Sequence, residues 1–213
     1  MSTGRSLFFR TKSFLFKDQI SFFRFDPLLA AAYSIWGFFQ NPYRACRKAH
    51  LGVYGETPLK VYQEIANEIH PEDHYVELGS GRGKGCFWIN RLANCKVTGI
   101  ELHRGFYFGS YLLQKIFRKK GISFMRRDFL NTDLSASFIY IYGTCLSEYE
   151  IQLLSSKIPI GSKTASVSFS FAELFPKEWE VSKILTVQFP WGMTNIYIES
   201  KKVRIRCRIP LLS

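Results

Sequence analysis

The 213-residue sequence predicts an α/β fold of three layers, in which helices cover both faces of a seven-stranded and mostly parallel sheet. Three observations lead to this prediction. Helical and strand patterns alternate from residue 54 onward, as they do in chains that form parallel sheets. A cluster of glycines, GSGRGKG at 79–85, follows directly on a strand-like apolar run. A short link, PWGMT at 190–194, joins the last two strand patterns and predicts an antiparallel C-terminal hairpin.

The individual elements follow from the local patterns. Predicted strands are His74–Leu78, Lys96–Leu102, Ser123–Phe129, Ser137–Tyr142, Lys163–Phe171, Val181–Phe189 and Asn195–Lys202. Predicted helices are Thr57–His70, Gly85–Asn94, Phe106–Lys120 and Ser147–Ser156. The first of these helices carries its apolar residues on one face. Thr57 is suited to cap it, and Pro58 is suited to its first turn.

Residues 1–50 differ in character from the rest and form an aromatic and basic extension, which we expect to be helical. They hold nine of the twenty phenylalanines. The uninterrupted apolar run Pro27–Phe39 has 13 residues, fewer than the roughly 20 that a helix needs to span a bilayer. We therefore expect an arm packed on the domain that follows at 51–202. A helix that lies in a membrane interface is the alternative.

Positive charge is concentrated at the two ends of the chain. Of the net charge of +12, residues 1–50 carry +6, residues 201–213 carry +5, and residues 51–200 carry only +1. The last residues, 203–213, are a basic C-terminal tail. Such ends suit an anionic partner, either nucleic acid or a membrane surface, but a solvated fringe that aids solubility explains them equally well.

The cysteines and histidines show no metal-binding spacing. The five cysteines contain no C-x-x-C pair, and the four histidines contain no H-x-x-x-H pair, so we expect no structural metal. Scattered cysteines in odd number favour free thiols in a reducing compartment. We expect a cytoplasmic protein, with peripheral contact to a membrane through residues 1–50 as an alternative.

The glycine cluster matches one of three nucleotide-binding patterns. A P-loop, G-x-x-x-x-G-K-[ST], fails at its first glycine and at its last residue. The dinucleotide fingerprint G-x-G-x-x-G fails at Lys84. The pattern acid-x-G-x-G-x-G is met in full by Glu77, Gly79, Gly81 and Gly83. On these residues the chain resembles the class I S-adenosylmethionine-dependent methyltransferases, which implies a Rossmann-like fold and S-adenosyl-L-methionine as cofactor.

Three acids at predicted strand ends suit such a cofactor. Glu77, just before the glycines, can meet an ammonium group, and Glu101 can accept both hydroxyls of a ribose. In the family an acid after the third strand lies near the adenine amino group beside an apolar residue, which the resemblance places at Asp128 and Phe129. Ser80 in the glycine loop is included in the site. Each acid alone is compatible with a solvated strand end, but three in this order favour the cofactor.

Two further segments, YGET at 54–57 and RDFL at 127–130, narrow the resemblance. The chain is most similar to the seven-strand lysine methyltransferases of the histone, non-SET kind, and more loosely to the membrane-associated enzymes that methylate a lysine of the ATP synthase c-subunit. The resemblance implies a protein lysine as acceptor, in preference to RNA, and places Glu56 and Thr57 over the methionine end of the cofactor.

Two alternatives to a lysine methyltransferase stay open. The first is an RNA methyltransferase whose basic ends hold phosphates, in particular through Arg204, Arg206 and Arg208. The second is a cofactor-binding or membrane-apposed interaction protein that keeps the fold without the reaction. The sequence does not decide between these partners.

The segment after the fourth strand, IYGTCL at 141–146, departs from the family pattern. It lacks both the Asn-Asn-Phe of the histone enzymes and the N/D-P-P-Y/F of enzymes that methylate amino groups. We predict that Tyr142, Gly143 and Thr144 line the acceptor site, with Gly143 beside the cofactor and with Tyr142 and Thr144 as candidate catalytic residues. No base is evident, and a lysine can shed its proton on entering a dry channel. A nucleophilic Cys145 is the less favoured alternative to a small buried cysteine.

Overall fold

A computed structural model describes residues 18–39, 55–189 and 191–203. Its strands are β1 His74–Leu78, β2 Lys96–Ile100, β3 Ile122–Met125, β4 Phe138–Tyr142, β5 Lys163–Val167, β6 Trp179–Phe189 and β7 Gly192–Lys201. Its helices are α1 Pro27–Phe39, α2 Leu59–Ala66, α3 Lys84–Ala93, α4 Arg104–Ile116, α5 Glu148–Lys157 and α6 Phe171–Leu174, preceded by a helical stretch at 18–25. Tyr54 and Arg204, Arg206 and Arg208, which the sequence analysis singled out, lie outside the described residues.

The seven described strands form one sheet in the order β3-β2-β1-β4-β5-β7-β6. The first five are parallel, and β7 runs antiparallel to both of its neighbours, β5 and β6. The predicted fold class is therefore confirmed, including the antiparallel strand of the C-terminal hairpin. The strand order reverses between β1 and β4, and in an open sheet of this kind a crevice for ligands forms at the carboxyl ends of those strands.

The core lies on both faces of the sheet because its strands are buried on both sides. Along β4, Phe138 and Tyr140 belong to one apolar cluster, whereas Ile139 and Ile141 belong to the other. This alternation follows from the two-residue period of a strand. A buried parallel sheet needs helices on each face, and α2, α3 and α4 supply the first cluster while α5 and α6 supply the second.

Several predicted boundaries are wrong: the helices predicted at Thr57–His70 and Phe106–Lys120 end at Ala66 and Ile116. Three further differences have identifiable reasons. The third strand ends at Met125, and Asp128 instead begins a 3-10 turn at Phe129–Asn131 by accepting a hydrogen bond from the Leu130 amide. The fifth strand ends at Val167, because Ser168 adopts a left-handed φ of 76° before the short helix α6. Thr57 does not cap α2; its hydroxyl lies 2.5 Å from that of Tyr140 in the core.

The described part of the N-terminal extension packs on the helical layer of the domain. Phe22 and Tyr33 are buried in the first apolar cluster, and the Phe25 ring lies 4.4 Å from that of Trp88 on α3. Farther along α1, Trp36 lies against α4 at Gly109, where a Cβ atom would come within 2.1 Å of the indole nitrogen. These contacts place α1 beside α4 and above the glycine loop.

We expect Gly109→Ala to destabilise the protein, although alanine favours helices by about 1 kcal/mol over glycine. The new methyl group overlaps the Trp36 indole, and overpacking of this kind costs about 1–3 kcal/mol. Chemical denaturation followed by tryptophan fluorescence measures the change. In a Trp36→Ala background the same substitution should become neutral or stabilising, and a loss of equal size in both backgrounds would contradict the contact.

Candidate functional site

A cavity of about 370 Å³ opens at the carboxyl ends of β1, β2 and β4, where the strand order reverses. Its size lies at the lower end of the range of ligand sites, which is about 300–1,000 Å³. Eleven of the thirteen predicted site residues line it: Glu56, Thr57, Glu77, Gly79, Ser80, Gly81, Glu101, Asp128, Phe129, Tyr142 and Thr144. The topology thus gathers residues from five separate segments of the sequence around one space.

The glycine loop turns sharply between β1 and α3. Gly79, Gly81 and Gly83 all adopt left-handed φ angles, of 70°, 54° and 77°. Such angles are strained for residues with a Cβ atom. The amides of Gly79 and Ser80 donate to the carbonyl oxygen of Ile100 at 2.9 and 3.0 Å, so the loop is fixed against the end of β2. A side chain at Gly79 would meet nothing within 4 Å, which leaves the backbone of the loop open on the cavity side.

Gly83 and Gly143 are not among the residues that line the cavity, and their contact with the cofactor stays a prediction. A Cβ atom at Gly83 would lie 2.7 Å from the Phe124 ring and 2.8 Å from Ser110. At Gly143 it would lie 2.2 Å from the Phe169 ring. Both glycines are therefore required by close packing behind the site.

Glu101 is held in a fixed orientation just past the end of β2. Its Oε2 atom accepts a hydrogen bond from the Gly81 amide at 2.8 Å, and Oε1 accepts one from the His103 amide at 2.6 Å. The residue is only 7% exposed, and this burial raises the pKa of its carboxyl against the opposing effect of the amides. A carboxylate oxygen can accept more than one hydrogen bond, so both oxygens can still receive hydroxyl groups from a ligand in the cavity.

Glu77 lies deeper, at the end of β1. The Tyr62 hydroxyl donates to its Oε1 atom at 2.6 Å, and the Cys86 thiol donates to Oε2 at 3.4 Å. Burial raises the pKa of this carboxyl to about 7, and the two hydrogen bonds only partly oppose the effect. Gly85 makes room for the arrangement, since a Cβ atom there would lie 2.3 Å from the Tyr62 hydroxyl. Glu77 is thus a carboxyl that changes charge near neutral pH.

Asp128 and Phe129 lie at the far end of the cavity, after β3. The Asp128 carboxylate caps the 3-10 turn through the Leu130 amide at 2.9 Å and accepts a second bond from the Asn131 side chain at 2.9 Å. Phe129 packs at the edge of the second apolar cluster. Together with the apolar cavity residue Leu102, Phe129 lines this end of the cavity beside the Asp128 carboxylate.

Sequence reasoning missed a buried ionic cluster that closes the opposite end. Lys84 is 6% exposed and pairs with Asp18 at 2.6 Å and with Glu56 at 2.9 Å. The other oxygen of Glu56 accepts from Arg82 at 2.5 Å and from the Tyr33 hydroxyl at 2.6 Å. Burial alone would lower the pKa of Lys84, but the two carboxylates outweigh it and raise that pKa.

The ionic cluster ties the N-terminal extension to the glycine loop. Asp18 also accepts a hydrogen bond from the Leu59 amide at 2.6 Å, and the Arg82 guanidinium lies 4.1 Å from the centre of the Tyr33 ring. Tyr33 itself lines the cavity. The described part of the extension therefore contributes a wall to the site as well as packing area.

We expect Lys84→Met to cost about 3–5 kcal/mol of unfolding free energy, because it leaves the buried carboxylates of Asp18 and Glu56 short of a cation. Urea denaturation at pH 7 measures the loss. Lys183→Met serves as a matched control, since it removes the half-exposed pair with Glu68, which is worth less than about 1 kcal/mol. Equal losses in the two variants would contradict a buried network at Lys84.

The candidate acceptor end of the cavity is lined by Tyr142 and Thr144. Tyr142 packs against Phe189 and Trp191, with ring centres 6.1 and 6.0 Å away. Burial raises the pKa of its phenol to about 12, so the hydroxyl stays protonated and acts as a hydrogen-bonding group rather than as a base. Cys145 is a free, exposed thiol on the cavity wall, which differs from the buried cysteine that the sequence favoured.

No protein-family model matches the chain, and no curated protein matches its sequence. Solved structures do match its fold. An RNA methyltransferase of Salinibacter ruber, crystallised with S-adenosyl-L-homocysteine, is 17% identical with a TM-score of 0.55, and the match covers 71% of this chain and 95% of that one. The geranyl diphosphate C-methyltransferase of Streptomyces coelicolor is 10% identical with a TM-score of 0.52, over 68% of this chain and 80% of that one.

The m1A22 tRNA methyltransferase TrmK of Bacillus subtilis is 13% identical with a TM-score of 0.55. The match covers 66% of this chain and 64% of that enzyme, so this chain spans somewhat less than two thirds of its length. The names of these proteins give different substrates, so what they have in common with this chain is the fold. The strand order, the antiparallel β7 and the similarity to these enzymes show that this chain has the Rossmann-like fold of the class I S-adenosylmethionine-dependent methyltransferases.

Proposed function

We propose that the protein is an S-adenosylmethionine-dependent methyltransferase that acts on a macromolecule. One observation carries the proposal. Three acids, at the ends of β1 and β2 and after β3, lie around a single cavity beside a glycine loop whose backbone faces that cavity. A nucleoside that carries an amino acid needs acceptors for its amino group, its ribose and its base, and these acids stand in the corresponding order.

The residues present fit such a cofactor. Glu101, oriented by two backbone amides, would accept the ribose hydroxyls. Glu77 would pair with the amino group at the glycine-loop end, and Asp128 would lie on the base side with Phe129 and Leu102 as its apolar neighbours. S-adenosylmethionine, when bound, supplies a methyl group activated by its sulfonium. The chain supplies binding, orientation and exclusion of water.

For the acceptor, RNA has more support than a protein lysine. The S. ruber and B. subtilis proteins are named as RNA and tRNA methyltransferases. In this chain Arg126 and Arg127 are exposed directly before Asp128 at the cavity. Arg126 is close enough to His103 that its charge, after burial, helps to lower the pKa of that imidazole. Two arginines beside a cofactor cavity are suited to hold phosphates.

A protein lysine is the second candidate for the acceptor. It rests on the resemblance of YGET and RDFL to the lysine methyltransferases, and on the protonated phenol of Tyr142 at the candidate acceptor end of the cavity. A lysine that enters such a site loses part of its preference for the charged form. The segment YGET is described only from Gly55 onward, so the role of its tyrosine stays a prediction.

Two measurements test the proposal in sequence. Calorimetry with S-adenosylmethionine should show saturable binding, and its absence would overturn the proposed function. Incubation with the radiolabelled cofactor and a cell lysate should then label a macromolecular fraction. Loss of the label on ribonuclease treatment identifies RNA, whereas loss on protease treatment identifies protein and overturns the preference for RNA. Binding without labelling of either fraction would favour a protein that has kept the fold and lost the reaction.

A further inference from the structure

Helices α1 and α4 lie side by side and antiparallel. Asp26, just before α1, pairs with Lys119, just after α4, at 2.5 Å. At the other end of the contact the Trp36 ring lies 6.1 Å from that of Phe108, near the start of α4. Because the beginning of one helix meets the end of the other, their solvent sides run next to each other. We call this surface the α1–α4 face.

The apolar part of the α1–α4 face is large for a water-exposed surface. On α1, Leu28, Ile35 and Phe39 follow one another at spacings of seven and four residues, which puts them on one side of the helix. Ile35 is 60% exposed, and Phe38 and Phe39 are 84% and 79% exposed. Phe108 and Tyr111 add two exposed aromatic rings from α4. Adjacent exposed residues of this size are typical of an interaction surface.

The charged residues on and beside α4 are all basic. Residues 102–127, which contain α4, hold seven lysines and arginines and no acid. Arg104, Lys115, Arg118 and Lys120 are exposed, and the Lys115 amino group lies 5.4 Å from the centre of the Tyr111 ring. The two acids of the described N-terminal segment, Asp18 and Asp26, are turned inward onto Lys84 and Lys119. Neither of them offsets the charge of the outer surface.

We propose that the α1–α4 face binds the surface of an anionic lipid bilayer. Aliphatic and aromatic side chains enter the boundary between headgroups and acyl chains, while lysines and arginines extend to the phosphates. The aliphatic part distinguishes a bilayer from RNA, which would use the charges and the rings but leave Leu28 and Ile35 in water. Among the described residues, no helix is long and apolar enough to cross a membrane.

Sedimentation of the full chain with lipid vesicles tests the proposal without reference to catalysis. Binding is expected to phosphatidylcholine vesicles that contain phosphatidylglycerol, to weaken with salt, and to be much weaker to pure phosphatidylcholine. The double variant Ile35→Asp, Phe39→Asp should reduce binding by about tenfold or more. Ile160→Asp is its matched control, because Ile160 is 58% exposed outside this face.

A charge-reversal pair separates lipid from RNA. Lys115→Glu with Lys120→Glu should weaken vesicle binding, whereas Lys177→Glu, an exposed site elsewhere, should not. No binding of the parent chain to anionic vesicles, or equal binding by all variants, would overturn the proposal. A third result would also overturn it: if the charge variants lose binding to polyuridine but keep their binding to vesicles, the face binds RNA. Thermal melting and calorimetry with S-adenosylmethionine confirm that each variant is folded and that its cofactor site is separate.

Discussion

Replacing Glu101 with alanine is expected to lower the affinity for S-adenosylmethionine by roughly 100- to 10,000-fold. Hydrogen bonds to a charged partner are worth about 1.5–3 kcal/mol each, and the ribose hydroxyls would make two of them. The substitution also removes the acceptor for the Gly81 amide, which leaves the glycine loop less firmly oriented. Isothermal titration calorimetry measures the loss directly, independently of any methyl acceptor.

The size of the effect is judged against two other acids. Glu180→Ala, at an exposed position on β6, controls for the loss of one negative charge and should leave affinity unchanged. Asp128→Ala should cost less than Glu101→Ala, because the Asp128 carboxylate already holds the Leu130 amide and the Asn131 side chain. If Glu101→Ala binds S-adenosylmethionine with an affinity within threefold of the parent, Glu101 does not accept the ribose hydroxyls.

The sheet could be predicted from the sequence because its signals are local. A strand buried on both faces reads as a short apolar run, and each run lies between turn residues that stop it. The glycine loop could also be predicted from the sequence, because φ angles of 54–77° at Gly79, Gly81 and Gly83 favour glycine at all three positions. The same pattern does not tell a cavity-lining glycine from one that is needed for packing, as Gly83 shows.

The ionic cluster around Lys84 could not be predicted, for a reason of distance along the chain. Asp18 stands 66 residues before its partner, and no local pattern pairs residues at that separation. A lysine inside a glycine loop is expected to be solvated or to bind phosphate, yet Lys84 is buried between two carboxylates. The third strand was predicted to run to Phe129, but the Asp128 side chain accepts a hydrogen bond from the Leu130 amide and begins a turn there.

Glu77 makes the binding of S-adenosylmethionine dependent on pH, and this is the second large effect that we expect. Its pKa of about 7 means that the carboxyl is neutral in acid and cannot pair with an ammonium group there. Affinity should therefore fall about tenfold for each pH unit below 7. It should also fall above about pH 8, where an α-amino group, with a pKa of about 7.7–8.0, loses its proton. Calorimetry from pH 5.5 to 9 should give a bell-shaped profile.

Glu77→Gln is the variant that assigns the acid side of this profile. Glutamine cannot titrate, so affinity should become low and flat below pH 7 while the alkaline decline persists. Stability supplies an independent readout. The carboxyl pKa is 4.5 in the unfolded chain and about 7 in the fold, so the folded state binds more protons in this window and its stability falls as pH rises from 4.5 to 7.

The loss of stability across that window is on the order of 3 kcal/mol, and the glutamine variant should not show it. Urea denaturation at pH 4.5 and pH 8 measures it in both proteins. One outcome is that the parent loses stability as expected, but the affinity of Glu77→Gln for the cofactor still falls as the pH is lowered below 7. Glu77 is then a buried carboxyl that does not meet the ammonium group. If both effects disappear together, the same carboxyl sets the protonation of the fold and of the cofactor site.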